Sequence, residues 1–323
     1  MKKVLFLGCL CILSISVNAQ TDSNKVAVET IKKDSVAPDY VVELNSRALV
    51  VGKKVSDDGR EVGIMTADKG LVLIPKYQIK SIVVASSMPT VDGKRVFENP
   101  HPSRYLYSPS GIPLKKGEGY VQAIYWVAFQ GQYALTDHWS IGATSPLWAA
   151  PFLVNVKYTN TLKTDPAGKN NIYLATGIQA GSLSYIDPGT WLGIGYAGLT
   201  FGNPESNVTI NGGVLLNSYK STDYNYYYDP ITQKYTYEYS ESRLTDYLPA
   251  VSVSWNKRMN GTMSFMGEIW YVNNMIIGGP GMRFFSGRKN AIDVALLGGV
   301  DLEWGEGIFG VPMVSWTRKL GGK

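Results

Sequence analysis

From Gly119 to Leu320 apolar and polar positions alternate over one short stretch after another. Successive strand residues point to opposite faces, so a period of two argues for half-buried strands. The pattern predicts strands at 119–127, 129–136, 139–146, 151–160, 171–184, 191–202, 207–219, 247–257, 262–273, 275–286, 291–303 and 309–320. In the eleventh, Ile292, Val294, Leu296, Val300 and Leu302 share one face, and Asp293, Ala295, Gly299, Asp301 and Glu303 the other. Val251, Val253 and Trp255 alternate with Ser252, Ser254 and Asn256, and Phe152, Val154, Val156 and Tyr158 with Asn155, Lys157 and Thr159. Val208, Ile210, Val214 and Leu216 stand against Thr209, Asn211, Gly213 and Asn217, and Phe265, Ile269 and Tyr271 against Ser264 and Glu268.

A soluble β-sandwich alternates too, so the connections decide. Thr136-Asp137-His138, Asn203-Pro204-Glu205-Ser206, Asn260-Gly261 and Arg288-Lys289-Asn290 make short turns on one side, and the long connection at 220–246 falls on the other. Short turns at one end and longer loops at the other are the habit of outer-membrane barrels. Tyr120, Tyr125, Trp126, Trp139, Trp148, Trp191, Trp255, Trp270, Tyr271, Trp304 and Trp316 are expected to form aromatic girdles at the lipid boundary. The expected fold is therefore all-β: an antiparallel up-and-down transmembrane β-barrel of about twelve strands.

Ahead of the barrel the pattern changes. Tyr40–Leu44, Ala48–Val51, Val62–Met65, Leu71–Ile74 and Ile79–Val83 are short β-type runs, and Asp57-Asp58-Gly59 and Asp68-Lys69-Gly70 are turns. Residues 39–84 are expected to form a small β domain in the periplasm. Residues 85–118 hold Pro89, Pro100, Pro102, Pro109 and Pro113. Proline cannot donate to a ladder, so this is a linker or a plug. At the start, Lys2-Lys3, the apolar run Val4–Val17 and Val17-Asn18-Ala19 read as a signal peptide over residues 1–19, followed by a polar tail over 20–38. A lipoprotein would need Cys9 acylated after a very short apolar run.

Two stretches carry a resemblance. The signal ends Ala19-Gln20. Asn99-Pro100-His101-Pro102-Ser103-Arg104-Tyr105-Leu106-Tyr107-Ser108 runs toward Lys115-Lys116-Gly117-Glu118-Gly119-Tyr120, and Tyr133–Gly142 follows as a turn. Over 99–145 this resembles a group of poorly characterised outer-membrane barrel proteins of the Bacteroidota. The resemblance implies a fold and an outer-membrane location and brings no activity. The C-terminus departs from the habit of ending on an aromatic residue, finishing Arg318-Lys319-Leu320-Gly321-Gly322-Lys323. The runs within 39–84 loosely resemble Sm-like or SH3-like small barrels.

Composition narrows the function. Both cysteines, Cys9 and Cys11, lie in the signal, so the mature chain has no thiol for a disulfide, a metal or a nucleophile. Losing Lys2 and Lys3 lowers the formal charge from +5 to +3, too little to argue for nucleic acid. The chain has 34 glycines and 21 tyrosines but only two histidines, His101 and His138, neither with a serine partner. The glycines of Gly193-Ile194-Gly195 and Gly278-Gly279-Pro280-Gly281 open no helix and are expected to bend strands. No catalytic site, metal or cofactor is expected.

Six charges are expected to face the lumen: Lys157, Glu268, Arg283, Asp293, Asp301 and Glu303. They suit a polar channel or small binding site, or ion pairs that fill a narrow barrel, or a lumen plugged by the Pro-rich segment. Tyr224, Tyr226, Tyr227, Tyr228, Tyr235, Tyr237 and Tyr239 are candidates for surface binding, and equally for cross-strand pairs in an outer hairpin. The expected function is a narrow pore or a structural or interaction protein. The alternative is a binding module using the tyrosine hairpin or the small β domain, and a membrane-embedded hydrolase comes third. The expected partners are outer-membrane lipid, the barrel-assembly machinery and a periplasmic protein.

Overall fold

A computed structural model describes residues 39–46, 48–91, 93–146, 151–166, 168–183, 190–231 and 233–322. The expected signal and tail lie outside the described residues, as does Trp148. Residues Pro38–Lys323 form one compact unit. Among the described residues no helix is long and apolar enough to cross a membrane, which says nothing of strands.

Five strands come first: β1 (Asp39–Leu44), β2 (Leu49–Asp57), β3 (Glu61–Thr66), β4 (Gly70–Pro75) and β5 (Ile79–Val84). They form an antiparallel sheet in the order β4-β3-β2-β1-β5. Alternation buries Val42, Val62, Ile64 and Ile74 on one face. The β2–β3 turn needs Gly59, whose φ is +91°. Beside it the Asp58 carboxylate accepts the N–H groups of Arg60 and Glu61 at 2.9 and 2.7 Å. The Glu61 bond, then the Arg60 bond, hold this exposed carboxyl below its usual range. On the other face Val41 packs with Ala85 and Met88, and Val83 and Phe97 pack against them. A two-strand hairpin, β6 (Thr90–Val91) with β7 (Lys94–Arg95), follows.

The twelve strands expected from alternation are all present, as one closed barrel. They are β8 (Gly119–Ile124), β9 (Ala128–Ala134), β10 (Trp139–Pro146), β11 (Phe152–Lys163), β12 (Asn171–Ser182), β13 (Trp191–Asn203), β14 (Ser206–Asp229), β15 (Lys234–Arg258), β16 (Met263–Val272), β17 (Met275–Ser286), β18 (Asn290–Asp301) and β19 (Gly307–Leu320). Each pairs antiparallel with the next, and β19 closes on β8 from Ser315–Ile124 to Leu320–Gly119. The long connection at 220–246 is the outer hairpin that the tyrosine alternation suggested, not an open loop. β14 and β15 stay paired rung by rung to Asp229–Lys234, so the two strands project as one hairpin.

The burial is inside out. Thr209, Ser252, Ser254 and Thr317 face inward and are almost fully buried, while Val208, Ile210, Val251, Val253, Ile292 and Val294 face outward and are 39–50% exposed. A soluble protein rarely exposes contiguous apolar patches beyond a few hundred Å². Here the apolar side of nearly every strand looks out, and the polar side is packed. This suits lipid outside.

Two of the expected girdle residues point the other way. Tyr120 is buried and Trp270 lines the lumen, because both share parity with inward neighbours, Gln122 and Glu268. Trp126, Trp139, Trp191, Trp304, Tyr125 and Tyr271 are exposed. Trp126 stacks on Trp316 with centroids 5.7 Å apart.

Candidate functional site

The segment between the small sheet and the barrel enters the lumen from the short-turn end. At the entrance the Asn99 backbone N–H donates to the Glu205 carboxylate at 2.7 Å, and the Asn99 amide donates to Pro204 O at 2.9 Å. Burial pushes the Glu205 carboxyl above its usual range, against the pull of Asn99 N–H and the Arg258 charge. Prolines 100, 102, 109 and 113 keep the segment out of the wall's ladder. Inside, it folds back on itself: Tyr105 N–H donates to Ser108 O, Ser110 N–H donates to Ser103 O, and Arg104 bridges Pro109. Gly111 lies so close to the wall that a Cβ would meet Tyr173 O at 2.9 Å.

The wall grips this inner hairpin by its backbone. The Lys157 ammonium donates to Ser103 O and Ser110 O at 3.3 and 3.4 Å. The Glu268 carboxylate accepts Tyr107 N–H and Ser108 N–H at 3.0 and 2.9 Å, and Trp270 Nε1–H at 3.3 Å. Arg283 donates to His101 O and Tyr105 O at 2.9 and 3.0 Å. Its Nε also meets Asp293 at 2.7 Å, and Arg104 from the hairpin reaches the same carboxylate at 3.0 Å. Arg104 is further bonded to Thr317. Asn207 and Thr209 hold the Tyr105 hydroxyl at 2.6 and 2.7 Å, and Thr200 takes Gly111 N–H at 2.6 Å. Below these polar bonds Tyr105 and Leu106 pack on Met266, Ala295 and Met313. A buried backbone group without a partner is costly. The charges at Lys157, Glu268 and Arg283 satisfy the backbone groups that the short inner hairpin leaves unpaired.

The expected lumen residues thus divide. Lys157, Glu268, Arg283 and Asp293 lie inside, 0–5% exposed. Asp301 and Glu303 were expected beside them and are not there. β18 ends at Asp301, two residues sooner than alternation suggested, and the chain turns. The Asp301 carboxylate caps that turn through Glu303 N–H at 2.8 Å and Trp304 N–H at 3.2 Å, and Glu303 is exposed. Sequence alone missed Arg104, the hairpin's own cation, and the polar wall residues Asn207, Thr209 and Thr200. The available signal was an arginine amid Tyr-Leu-Tyr in a Pro-rich stretch, where nothing else is charged between His101 and Leu114.

The tyrosines lie on the projecting hairpin and are 50–78% exposed. Tyr224, Tyr226 and Tyr228 stand opposite Tyr239, Tyr237 and Tyr235, and Tyr227 opposite Thr236. Ring centroids are 5.2 Å apart for Tyr228–Tyr235 and 6.3 Å for Tyr226–Tyr237. These are cross-strand pairs along a ribbon, and they do not join the lumen residues.

Above the inner hairpin, toward the tyrosine ribbon, the lumen holds a cavity of about 430 Å³. Its floor includes Tyr107, Pro109, Lys157 and Glu268. Its upper wall mixes Leu153, Leu192, Ile194, Leu215, Val272, Ile277 and Leu297 with Gln130, Thr144 and Gln179 on the same rungs. The two histidines stay apart. His101 Nε2 lies 3.2 Å from Lys289 O at the base of the inserted segment, and His138 Nδ1 lies 2.9 Å from Thr159 O in the β9–β10 turn. Among the described residues no group of three His, Cys, Asp or Glu side chains could hold a metal.

The chain matches no protein-family model and no curated protein. Among solved structures it is similar to the toluene transporter TbuX of Ralstonia pickettii, at 12% identity over 88% of each chain with a TM-score of 0.26. It is likewise similar to the CymD monoaromatic hydrocarbon channel, at 12% identity over 88% of this chain and 87% of that one, with a TM-score of 0.24. Superposition that loose leaves the barrel to stand on its own register and burial.

Proposed function

We propose that this chain is an outer-membrane barrel that serves as a plugged entry port, open to the outside through its vestibule and closed to the periplasm by its own residues 99–114. The observation that carries this is the division of the lumen. Every buried charge of the wall described above holds the plug, directly or through Arg283, while among the described residues no segment of chain fills the space above the plug. The inside-out burial supports a lipid setting. The small sheet sits at the short-turn end, where Arg288 of the β17–β18 turn pairs with Glu43 at 2.9 Å, which supports placing it in the periplasm. The partners on this reading are outer-membrane lipid, the barrel-assembly machinery, and a periplasmic protein that reaches the small sheet.

Conductance in a planar bilayer tests it. The intact chain should be silent. A variant with residues 101–112 replaced by a short Gly-Ser bridge should conduct steadily while keeping the faster unheated gel band of a folded barrel. A silent bridge variant that is folded would overturn the port.

A further inference from the structure

β14 and β15 pair without a slip from Ser206–Lys257 to Asp229–Lys234. Each side of this two-strand sheet therefore runs unbroken from the barrel wall into the projecting ribbon. Val208, Ile210, Val214 and Leu216 face outward and are exposed, while Thr209 and Asn211 between them are buried. Strand residues two apart share a face. The outward side can thus be followed, rung by rung, beyond the barrel.

That side comes in three layers. The first is apolar and ends at the rung Leu216–Tyr247. The second holds Ser218–Thr245, Lys220–Arg243 and Thr222–Glu241. The third is Tyr224–Tyr239, Tyr226–Tyr237 and Tyr228–Tyr235, six rings that are 51–78% exposed. Of the seven ribbon tyrosines only Tyr227 stands on the other side. Rings that served the pairing alone could stand on either side.

The charges are sorted in the same way. Lys220 and Arg243 face one another across one rung, and like charges directly opposite are unfavourable. Glu241 comes no nearer to Lys220 than 3.8 Å, with both side chains about half exposed. The other acids of the hairpin, Asp223, Asp229, Glu238 and Asp246, have the opposite parity. The outward side therefore keeps two cations together and most of the acids away, which suits an anion. The six tyrosines above carry no charge among them.

Distance along the strand selects the anion. At about 3.4 Å per residue and a tilt of about 35–45°, the Lys220 rung stands about 10 Å above Leu216. Tyr224 to Tyr228 stand about 20–30 Å above it. The headgroup layer of a phospholipid is only about 5–8 Å deep. Long basic side chains reach down to it, but the tyrosines stay clear of it. A headgroup that carries several sugars beyond its phosphates reaches both layers. Tyrosine suits a sugar because it pairs an apolar ring with a polar tip.

We infer that the outward side of the β14–β15 ribbon is a docking track for an anionic glycolipid of the outer leaflet. Its acyl chains lie against Val214 and Leu216, its phosphates on Lys220 and Arg243, and its sugars on the three tyrosine pairs. This rests on the lipid setting of the proposed function and is independent of the plug.

The test uses the full chain in a neutral detergent with a chelator, and fluorescently labelled rough lipopolysaccharide as the probe. Binding is read by anisotropy, with lipid A and phosphatidylglycerol as unlabelled competitors. Lipopolysaccharide should compete best, lipid A less well and phosphatidylglycerol least. Each basic side chain near an anionic surface is worth about fivefold in affinity. Lys220→Ser with Arg243→Ser should therefore weaken both lipopolysaccharide and lipid A about twenty-fivefold. Tyr226→Ser with Tyr237→Ser should weaken lipopolysaccharide several-fold and leave lipid A unchanged. Lys163→Ser with Lys257→Ser, at the short-turn end, should change neither. All variants should keep the faster unheated gel band. Parent-like binding by either ribbon variant would overturn the track, as would an equal loss in the short-turn variant. A folded parent that binds none of the three lipids would also overturn it, and would leave the plug to its conductance test.

Discussion

The lower and upper halves of the lumen are built on the same strands and filled by opposite means. Below, the inward residues are Asp293, Arg283, Ser315, Thr317, Thr209 and Asn207, and a piece of the chain's own backbone lies among them. Above, apolar Ile277, Leu297, Val272, Leu192 and Ile194 join Gln130, Thr144 and Gln179, and among the described residues no segment of chain fills the space. A barrel interior becomes polar where it must satisfy an unpaired backbone and apolar where it need not. The lower lining therefore records its occupant, a fixed loop of the chain itself.

The comparison breaks most severely at Asp293. This carboxylate neutralises Arg283 and Arg104 together. Asp293→Ala leaves two buried guanidinium groups facing one another, and removing one partner of a buried ion pair costs about 3–5 kcal/mol. The expected result is a barrel that loses its heat-modifiable gel band at a clearly lower temperature and conducts in a bilayer. Next comes Glu268→Gln. The amide keeps one acceptor for Tyr107 or Ser108 N–H but loses the charge, a loss of about 1.5–3 kcal/mol. It should leave the band intact and give brief openings, because only the plug's tip loosens. Leu297→Trp, which fills part of the vestibule, should leave both band and conductance near the parent and weaken binding of an apolar fluorophore. Smallest is the ribbon. Replacing Tyr226 and Tyr237 by serine removes one cross-strand pair worth about 0.2–1 kcal/mol and should change neither band, conductance nor fluorophore binding. A loss of fluorophore binding there would bring the ribbon into the site.

The strands were legible because their two faces differ so consistently: Ile292, Val294 and Leu296 against Asp293 and Ala295 can be read off the chain as written. The ends were less so. Alternation carried the eleventh strand to Glu303, whereas the Asp301 carboxylate stops it by capping the turn. The outer hairpin was legible from the alternation Tyr235-Thr236-Tyr237-Glu238-Tyr239, though not how far its pairing runs, which is rung by rung to Asp229–Lys234. Alternation also marked Lys157, Glu268, Arg283 and Asp293 as facing inward, but it could not say what they face. Lys157, Glu268 and Arg283 meet backbone groups of residues 101–110, and a backbone carbonyl leaves no mark in a sequence. Arg104 was hidden for a related reason: only the folded path brings it beside a residue 189 positions further along the chain.

Thiol accessibility in intact cells tests the divided lumen most directly, since the only natural cysteines are Cys9 and Cys11. Tyr107 sits at the plug's tip on the vestibule floor, 39% exposed, and Ser103 lies behind it, fully buried. With a membrane-impermeant maleimide added outside, Tyr107→Cys should label and Ser103→Cys should not, each measured against the parent. Labelling of both would mean an open lumen without a plug. Labelling of neither, with the barrel folded, would mean that the vestibule does not open to the outside, and the account would be wrong at its centre.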